Sequence, residues 1–250
     1  MCLLALFFRV VEDAPIVLGA NREEDYRRGG EPPRLHEGPC RFVAGVDPAA
    51  GGTWLGVNEH GVLAAVTNRA KEIRPEHPRS RGLLVRDLLN CSTASAASQL
   101  AVRELDGDRY DGCNILCADA DSAILVLSGD WLRVRPLPPG LHVLTNGDAN
   151  DERDPRLGFA AYLLGREGNR YRSSADCVQM LRQVCGRHEP DEPAICLRGD
   201  ERGTTSSSII ALRPSLGKSV YLHAQGSPDQ TPYTDYSDLL RQLADTRQGK

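Results

Sequence analysis

The residue with the most chemistry to offer stands at position two. Cys2 precedes an apolar run, LLALFF, that leaves no flexible leader to carry a thiol in solvent. Three readings compete for it: part of a targeting segment, a cysteine that happens to lie in a core strand, or a nucleophile released by removal of Met1. An N-terminal cysteine can supply nucleophile and base from one residue, because its thiol attacks while its own α-amine takes the proton. The ordinary pKa values suit this: about 7.7–8.0 for an α-amine and about 8.5 for a thiol. The arrangement requires a free amine on Cys2, since a peptide nitrogen accepts no proton.

Five further stretches carry groups that could serve such a nucleophile. Asn21, Arg22, Glu23 and Glu24 make a dense polar cluster at the end of PIVLGAN. A guanidinium beside a carboxylate can orient an amine and lower a thiol pKa, whereas a solvated turn with a salt bridge is the plainer alternative. Two Thr-Asn steps end apolar runs at Asn68 and Asn146. Two asparagine amides beside a thiol could hold the oxyanion of a tetrahedral intermediate; asparagine also terminates strands for purely local reasons. Five consecutive hydroxyl residues, Thr204 to Ser208, enter an apolar run, either lining a pocket or facing water from an edge strand. Gly51-Gly52-Thr53-Trp54 permits a tight backbone turn, and Trp54 either walls a pocket or fills the core. Trp54 and Thr205 are the candidates for substrate contact.

The elements that must position these groups follow from the apolar patterning. MCLLALFFRV and PIVLGAN are β-rich runs joined by the polar turn VEDA, so they should pair as a hairpin and bring Asn21–Glu24 towards Cys2. FVAGVD is a short strand, and TWLGV and VLAAVTN flank the turn NEHG as a second hairpin. Arg69 to Arg81 reads as a surface loop. Helices are expected over Leu83–Leu89, from a cap at Ser92 or Thr93 to Leu105, over Leu157–Leu164, over Ser174–Cys185 and over Thr234–Thr246. NILCADA, SAILVLS, WLRVRPL and LHVLTN read as a four-stranded meander, and SSSIIALR and SVYLHAQG as a strand pair. Strands and helices alternate in blocks, which points to α+β with antiparallel sheets covered by helices in a single domain, 1–250.

Composition excludes several classes. The chain has 250 residues, 40% hydrophobic and 26% charged, with a net charge of −4. No basic block suggests nucleic acid or an anionic membrane. The first apolar run, roughly seven residues, lacks a positive flank and a cleavage site, and a membrane helix needs about 20. A cytoplasmic protein with reduced thiols is expected, with a small molecule as its partner and an oligomeric state that stays open. The eight cysteines include no CxxC pair; Cys113/Cys117 and Cys177/Cys185 have spacings that match no structural zinc site, so no metal is expected.

MCLL, LGANREE, AGVDPAAGGTWLGVNEHGVLAAVTNRA, LTNGDANDERDPRL and RGTTSSSIIAL resemble, in order, the blocks of the NRDE family, named for an Asn-Arg-Asp-Glu motif and including the eukaryotic transport and Golgi organisation proteins. The likeness runs from Met1 to about Leu212. One departure stands out: the naming motif reads Asn21-Arg22-Glu23-Glu24, so Glu23 replaces the family's Asp and its carboxylate reaches one methylene further. The NRDE family in turn resembles the N-terminal-nucleophile hydrolases of the penicillin V acylase and bile salt hydrolase type. That resemblance implies an αββα sandwich of two stacked, mainly antiparallel sheets between helical layers. It implies a hydrolase of an amide or related acyl bond of a small molecule, with Cys2 as nucleophile. Asn68 and Asn146 would take the oxyanion and substrate-orienting places, and Asn21, Arg22 and Glu24 the cluster near the thiol. Arg202 is a loose counterpart of an arginine late in the acylase site. The alternative implied by the eukaryotic members is a non-catalytic haem- or lipid-binding protein, with His60, His77 and His142 as the histidines available to haem.

Overall fold

In the computed structural model, residues 2–165 and 171–245 are described. They fall into two compact units, residues 1–29 with 139–241 and residues 30–138 with 242–250. Each unit holds one sheet, and every strand pair in both sheets is antiparallel.

The first unit carries strands β1 (Leu3–Val11), β2 (Ala14–Asp25), β10 (Gly140–Leu144), β11 (Arg202–Leu212), β12 (Val220–Ala224) and β13 (Thr234–Asp235), numbered in chain order. They lie in the order β10-β1-β2-β11-β12-β13. Residues 3–8 of β1 are all buried, so both faces of this strand are covered and its sequence shows no polar alternation. Two helices, α3 (Pro155–Gly165) and α4 (Ser174–Cys185), cover one face. Helix α4 begins in a capping box: Ser173 Oγ accepts from the Asp176 N–H at 3.4 Å, and Asp176 Oδ2 accepts from the Ser173 N–H at 3.0 Å. Its buried stripe is Cys177, Leu181, Val184 and Cys185, at helical spacing. The stripe lies so close to β2 that a Cβ on Gly19 would sit 2.8 Å from Leu181 Cδ2. The resulting core joins Leu3, Ala5, Phe7, Val17, Val143, Leu157 and Ile209 to that stripe.

The second unit carries β3 (Glu31–His36), β4 (Phe42–Val46), β5 (Leu55–Asn58), β6 (Leu63–Asn68), β7 (Cys113–Ala118), β8 (Ala123–Ser128) and β9 (Leu132–Pro136), in sequence order across the sheet. Helices α1 (Arg81–Leu88) and α2 (Ala94–Leu105) pack on it, burying Leu84, Leu88, Ala97 and Ala101 with Phe42, Ala64, Ile115 and Val126. Thr93 caps α2, accepting from the Ala96 N–H at 3.1 Å. Gly51 takes a left-handed φ of +66°, and Gly52 abuts the backbone of Gly82 and Leu83 where α1 begins. The Gly-Gly step is therefore a close backbone approach, sealed by Thr53 N–H donating to Gly82 O at 3.0 Å. Helix α5 (Ser237–Asp245) closes the described chain, and the expected extension to Thr246 lies outside the described residues. No helix among the described residues is long and apolar enough to cross a membrane.

Three differences from the expected elements bear on the site. First, β2 continues through Asn21–Asp25 instead of ending in a turn, because β11 pairs with it as far as Arg202 opposite Asp25. Second, the meander has three strands: β10 leaves it and pairs with β1, Leu4 opposite Leu144, a partner 140 residues away in the chain. Third, Glu31–His36 is a strand despite two prolines. It lies at the sheet edge, where a missing N–H breaks no ladder.

Candidate active site

The candidate site lies in the first unit, where β1 starts. The ladder sets Leu3 opposite Asn21 and Leu4 opposite Leu144. Carrying the first register one residue outward sets Cys2 opposite Arg22; Asn146 follows the end of β10, the strand on the other side of β1, in a bend two residues past Leu144. Arg22 in turn pairs with Ser206 of β11, and Glu23 with Thr204, with a bulge that leaves Thr205 between them. Strand periodicity then divides the polar cluster: Asn21 and Glu23 share one face of the sheet, Arg22 and Glu24 the other.

Cys2 is half-buried, and its sulfur accepts a hydrogen bond from the Glu23 backbone N–H. Burial first, and the Glu23 carboxylate second, push the thiol above its ordinary value; the Glu23 N–H and the Arg22 guanidinium pull the other way. A thiol held protonated at neutral pH needs a base at the moment of attack.

Glu23 is the carboxylate of this site. It is 4% exposed, and burial raises it to about 7 against the opposing pull of its partners. Its Oε1 accepts from Arg156 Nη2 at 2.7 Å and from Thr204 Oγ1 at 3.2 Å. Its Oε2 is buried with no hydrogen-bond partner among the described residues, as are Oδ1 of Asn21 and Oδ1 of Asn146. Two of these acceptors lie on β2 and one just past β10, all in the first unit, and each calls for a polar partner.

Arg156 was not foreseen from the sequence, although it sits in the quoted block NDERDPRL. It is 8% exposed, on the first turn of α3. Asp154 caps that helix: Oδ1 accepts from the N–H of Arg156 at 3.0 Å and of Leu157 at 3.2 Å, with Pro155 in the first helical position. Asp154 Oδ2 also accepts from Thr145 Oγ1 at 2.7 Å. The segment from Thr145 to Asp154 is thus closed on itself, which fixes Asn146 at one end and Arg156 at the other. Beyond Glu23, Arg156 donates to Ala194 O at 3.1 Å and Ile195 O at 2.6 Å.

On the other face, buried Arg22 donates to Gly29 O at 2.8 Å and Thr205 Oγ1 at 3.1 Å. Thr205 Oγ1 donates back to Arg22 O at 3.2 Å, so the bulge and the guanidinium fix each other. Glu24 is half-buried and draws together Arg22 at 3.9 Å, Arg28 at 3.7 Å and Arg202 at 3.6 Å. Arg22, Glu24, Arg202 and Thr205 therefore form one connected group. Asn21 points away from it: Nδ2 donates to Cys185 O at 2.9 Å and Ile195 O at 3.2 Å, tying β2 to the end of α4.

The remaining candidates lie in the second unit or on separate elements. Asn68 is half-buried at the end of β6, opposite Cys113. Trp54 precedes β5 and packs over Gly45, where a Cβ would lie 3.0 Å from its Cη2. His60 tips the β5–β6 hairpin, His77 is exposed in the 69–80 loop, and buried His142 meets Asn150 Nδ2 at 3.1 Å through Nδ1. Of the other cysteines, six are buried and Cys91 is half-buried.

A model of the family described as Transport and Golgi organisation 2 matches residues 1–215. A mouse Transport and Golgi organization 2 homolog is 32% identical over 139 residues, which is 52% of this chain and half of the mouse protein's length. A Bos taurus Transport and Golgi organization protein 2 homolog is 27% identical over 224 residues, 78% of this chain and 81% of that protein. Among solved structures, a variant of conjugated bile acid hydrolase from Clostridium perfringens superposes with a TM-score of 0.61 at 11% identity, over 96% of this chain and 94% of that one. Penicillin V acylase from Agrobacterium tumefaciens gives 0.56 at 15% identity, over 96% and 88%. A Caenorhabditis elegans ortholog of N-acylethanolamine-hydrolyzing acid amidase gives 0.58 at 16%, over 84% and 92%. At these identities the likeness shows the fold alone, which among the described residues is two antiparallel sheets with five helices.

Proposed function

The chain belongs to the Transport and Golgi organisation 2 family, and from that membership, the shared fold and the groups around Cys2 we propose that it is an N-terminal-cysteine hydrolase. Its substrate class is an amide or related acyl bond of a small molecule, and the active form begins at Cys2. The observation that carries this reading is the Glu23 carboxylate: buried, tied through Oε1 to Arg156 and Thr204, with Oε2 unpartnered among the described residues and its own N–H on the Cys2 sulfur. That oxygen is an acceptor for the α-ammonium of a mature Cys2, in a setting where such a bond is strong.

The reaction follows from these groups. The α-amine takes the proton of the Cys2 thiol as Sγ bonds to the carbonyl carbon. The carbonyl oxygen becomes an oxyanion, for which the Asn146 amide, just past the end of β10 beside β1, is the donor. The α-ammonium then gives its proton to the leaving nitrogen as the C–N bond breaks, leaving a thioester. Water, deprotonated by the same amine, attacks that thioester and releases the acid. Glu23 holds the amine in place, and Arg156 holds Glu23. Arg22, whose charge favours the thiolate, is braced by Thr205 and Glu24. The test is turnover of a panel of small N-acyl amides by the wild-type protein and by Cys2→Ala. Hydrolysis by the wild type and none by Cys2→Ala is expected; undiminished hydrolysis by Cys2→Ala contradicts the mechanism.

A further inference from the structure

A second cluster of reactive side chains lies in the other unit and takes no part in the chemistry proposed at Cys2. Cys40 precedes β4, and Glu59 and His60 form the tip of the β5–β6 hairpin. β4 and β5 pair with Phe42 opposite Asn58. The same register carried two residues outward sets Arg41 opposite Glu59 and Cys40 opposite His60. The ladder does extend that way, since the Glu59 N–H donates to Arg41 O at 2.9 Å. As a result Cys40 Sγ, a Glu59 carboxylate oxygen and a His60 ring nitrogen all lie within 4.8 Å of one another.

The backbone behind these three donors is held from several sides. Asn58 Oδ1 accepts from the N–H of His60 and of Val62, each at 2.9 Å. Its Nδ2 donates to Leu89 O at 2.9 Å and Cys91 O at 2.7 Å, which ties the hairpin to the end of α1. Gly61 takes a φ of +79°, the left-handed residue that lets the tip close. On the facing strand the Cys40 N–H donates to Asn90 Oδ1 at 3.3 Å. Glu59 Oε1 accepts from Cys40 Sγ at 3.4 Å and from the Arg41 N–H at 3.4 Å. Cys40 is buried, Glu59 half-buried and His60 exposed, so the group is built from the inside and open to solvent on the histidine side. The Arg41 guanidinium is turned to Glu37, at 3.4 Å, and to Gln242 O, at 3.2 Å.

We propose that Cys40, Glu59 and His60 form a three-ligand site for a divalent transition metal ion of the zinc class, with a water completing the tetrahedron. Thiolate, carboxylate and neutral imidazole are the donor types zinc takes, at about 2.0–2.3 Å from the ion. The two anionic ligands balance the charge of a divalent ion. Binding replaces the Cys40 thiol proton, which leaves to solvent, with a sulfur–metal bond, and nothing is oxidised or reduced. Rotation of the exposed His60 ring closes the remaining gap. The ion would clamp the approach to β4 onto the hairpin tip.

The test uses the full-length reduced protein, stripped with a chelator. Zinc is titrated against a chromophoric chelator, and cobalt(II) is followed by thiolate-to-metal charge-transfer absorption. The wild type is expected to bind one equivalent of zinc at micromolar or lower concentration. His60→Ala, a change at the surface, should weaken zinc by roughly tenfold or more. Cys40→Ser should lose the charge-transfer band, while Cys2→Ser keeps it. No zinc bound by the wild type, unchanged binding in both His60→Ala and Cys40→Ser, or a cobalt band that disappears with Cys2, would each overturn the proposal.

Discussion

Replacing Arg156 with Met tests whether Glu23 and Arg156 act as one unit. The two are largely buried and 2.7 Å apart. Where Glu23 is ionised, Arg156→Met leaves a carboxylate in a low-dielectric site without its cation. Removing one partner of such a pair costs about 3–5 kcal/mol, a large share of a typical stability of about 5–15 kcal/mol. Where Glu23 is protonated, the substitution removes only hydrogen bonds to Ala194 O, Ile195 O and Glu23, which is worth about 1–3 kcal/mol. Because burial raises Glu23 to about 7, these regimes fall on either side of neutrality. Urea denaturation followed by far-ultraviolet circular dichroism should therefore give a much larger loss at pH 8 than at pH 5. The wild type carries the same sign. A raised carboxyl holds a proton in the folded state that the unfolded chain has released, so its contribution is complete below about 4.5 and is lost as pH rises through about 7. That loss is on the order of 3 kcal/mol. His36 and His223, lowered by burial, work in the opposite direction over part of this window, so the quantity to read is the difference between wild type and Glu23→Gln. The double variant should be more stable than the sum of the single losses implies, by about 2–3 kcal/mol. An Arg156→Met loss that is equal at pH 5 and pH 8, or single effects that simply add, would refute the pairing.

Three further outcomes are expected. Asn146→Ala should slow acylation of Cys2 by roughly 10²-fold if its amide meets the oxyanion; single-turnover kinetics with an activated ester would read this, and an unchanged rate removes Asn146 from the mechanism. Asn21→Ala removes the side-chain donor to buried Cys185 O and leaves Ile195 O to Arg156 alone, and should cost about 1–3 kcal/mol in urea titrations. Gly52→Ala drives a methyl group into the backbone of Gly82, which no side-chain rotation relieves, and should lower the melting temperature by several degrees; a neutral result would mean that the start of α1 can move.

The elements were readable where local signals decide them. The VEDA turn, the NEHG hairpin and the cap at Ser92 or Thr93, which falls to Thr93, each depend on neighbours within a few residues, and each formed as its sequence suggests. What escaped depends on distant partners. No local pattern marks LHVL as the strand that changes sheets, since its partner is β1. Glu23 and Glu24 look alike in sequence, yet a two-residue period sends one to Arg156 and the other to Arg22, Arg28 and Arg202. Arg156 stands in DERDPR, a run with every mark of a solvated turn, and only the packing of α3 makes it a buried ligand of Glu23. Cys40 and His60 likewise meet by cross-strand register, which no cysteine-spacing rule inspects.

The account rests on a sulfur and an amine belonging to the same residue. Intact mass of the purified protein, followed by peptide mapping after brief exposure to an electrophilic acyl probe, tests it most directly. The account predicts a chain that starts at Cys2 and carries a single acyl group there, with none on the other seven thiols and none in Cys2→Ala. A fully reactive protein that still carries Met1, or acyl label that persists in Cys2→Ala, would contradict it.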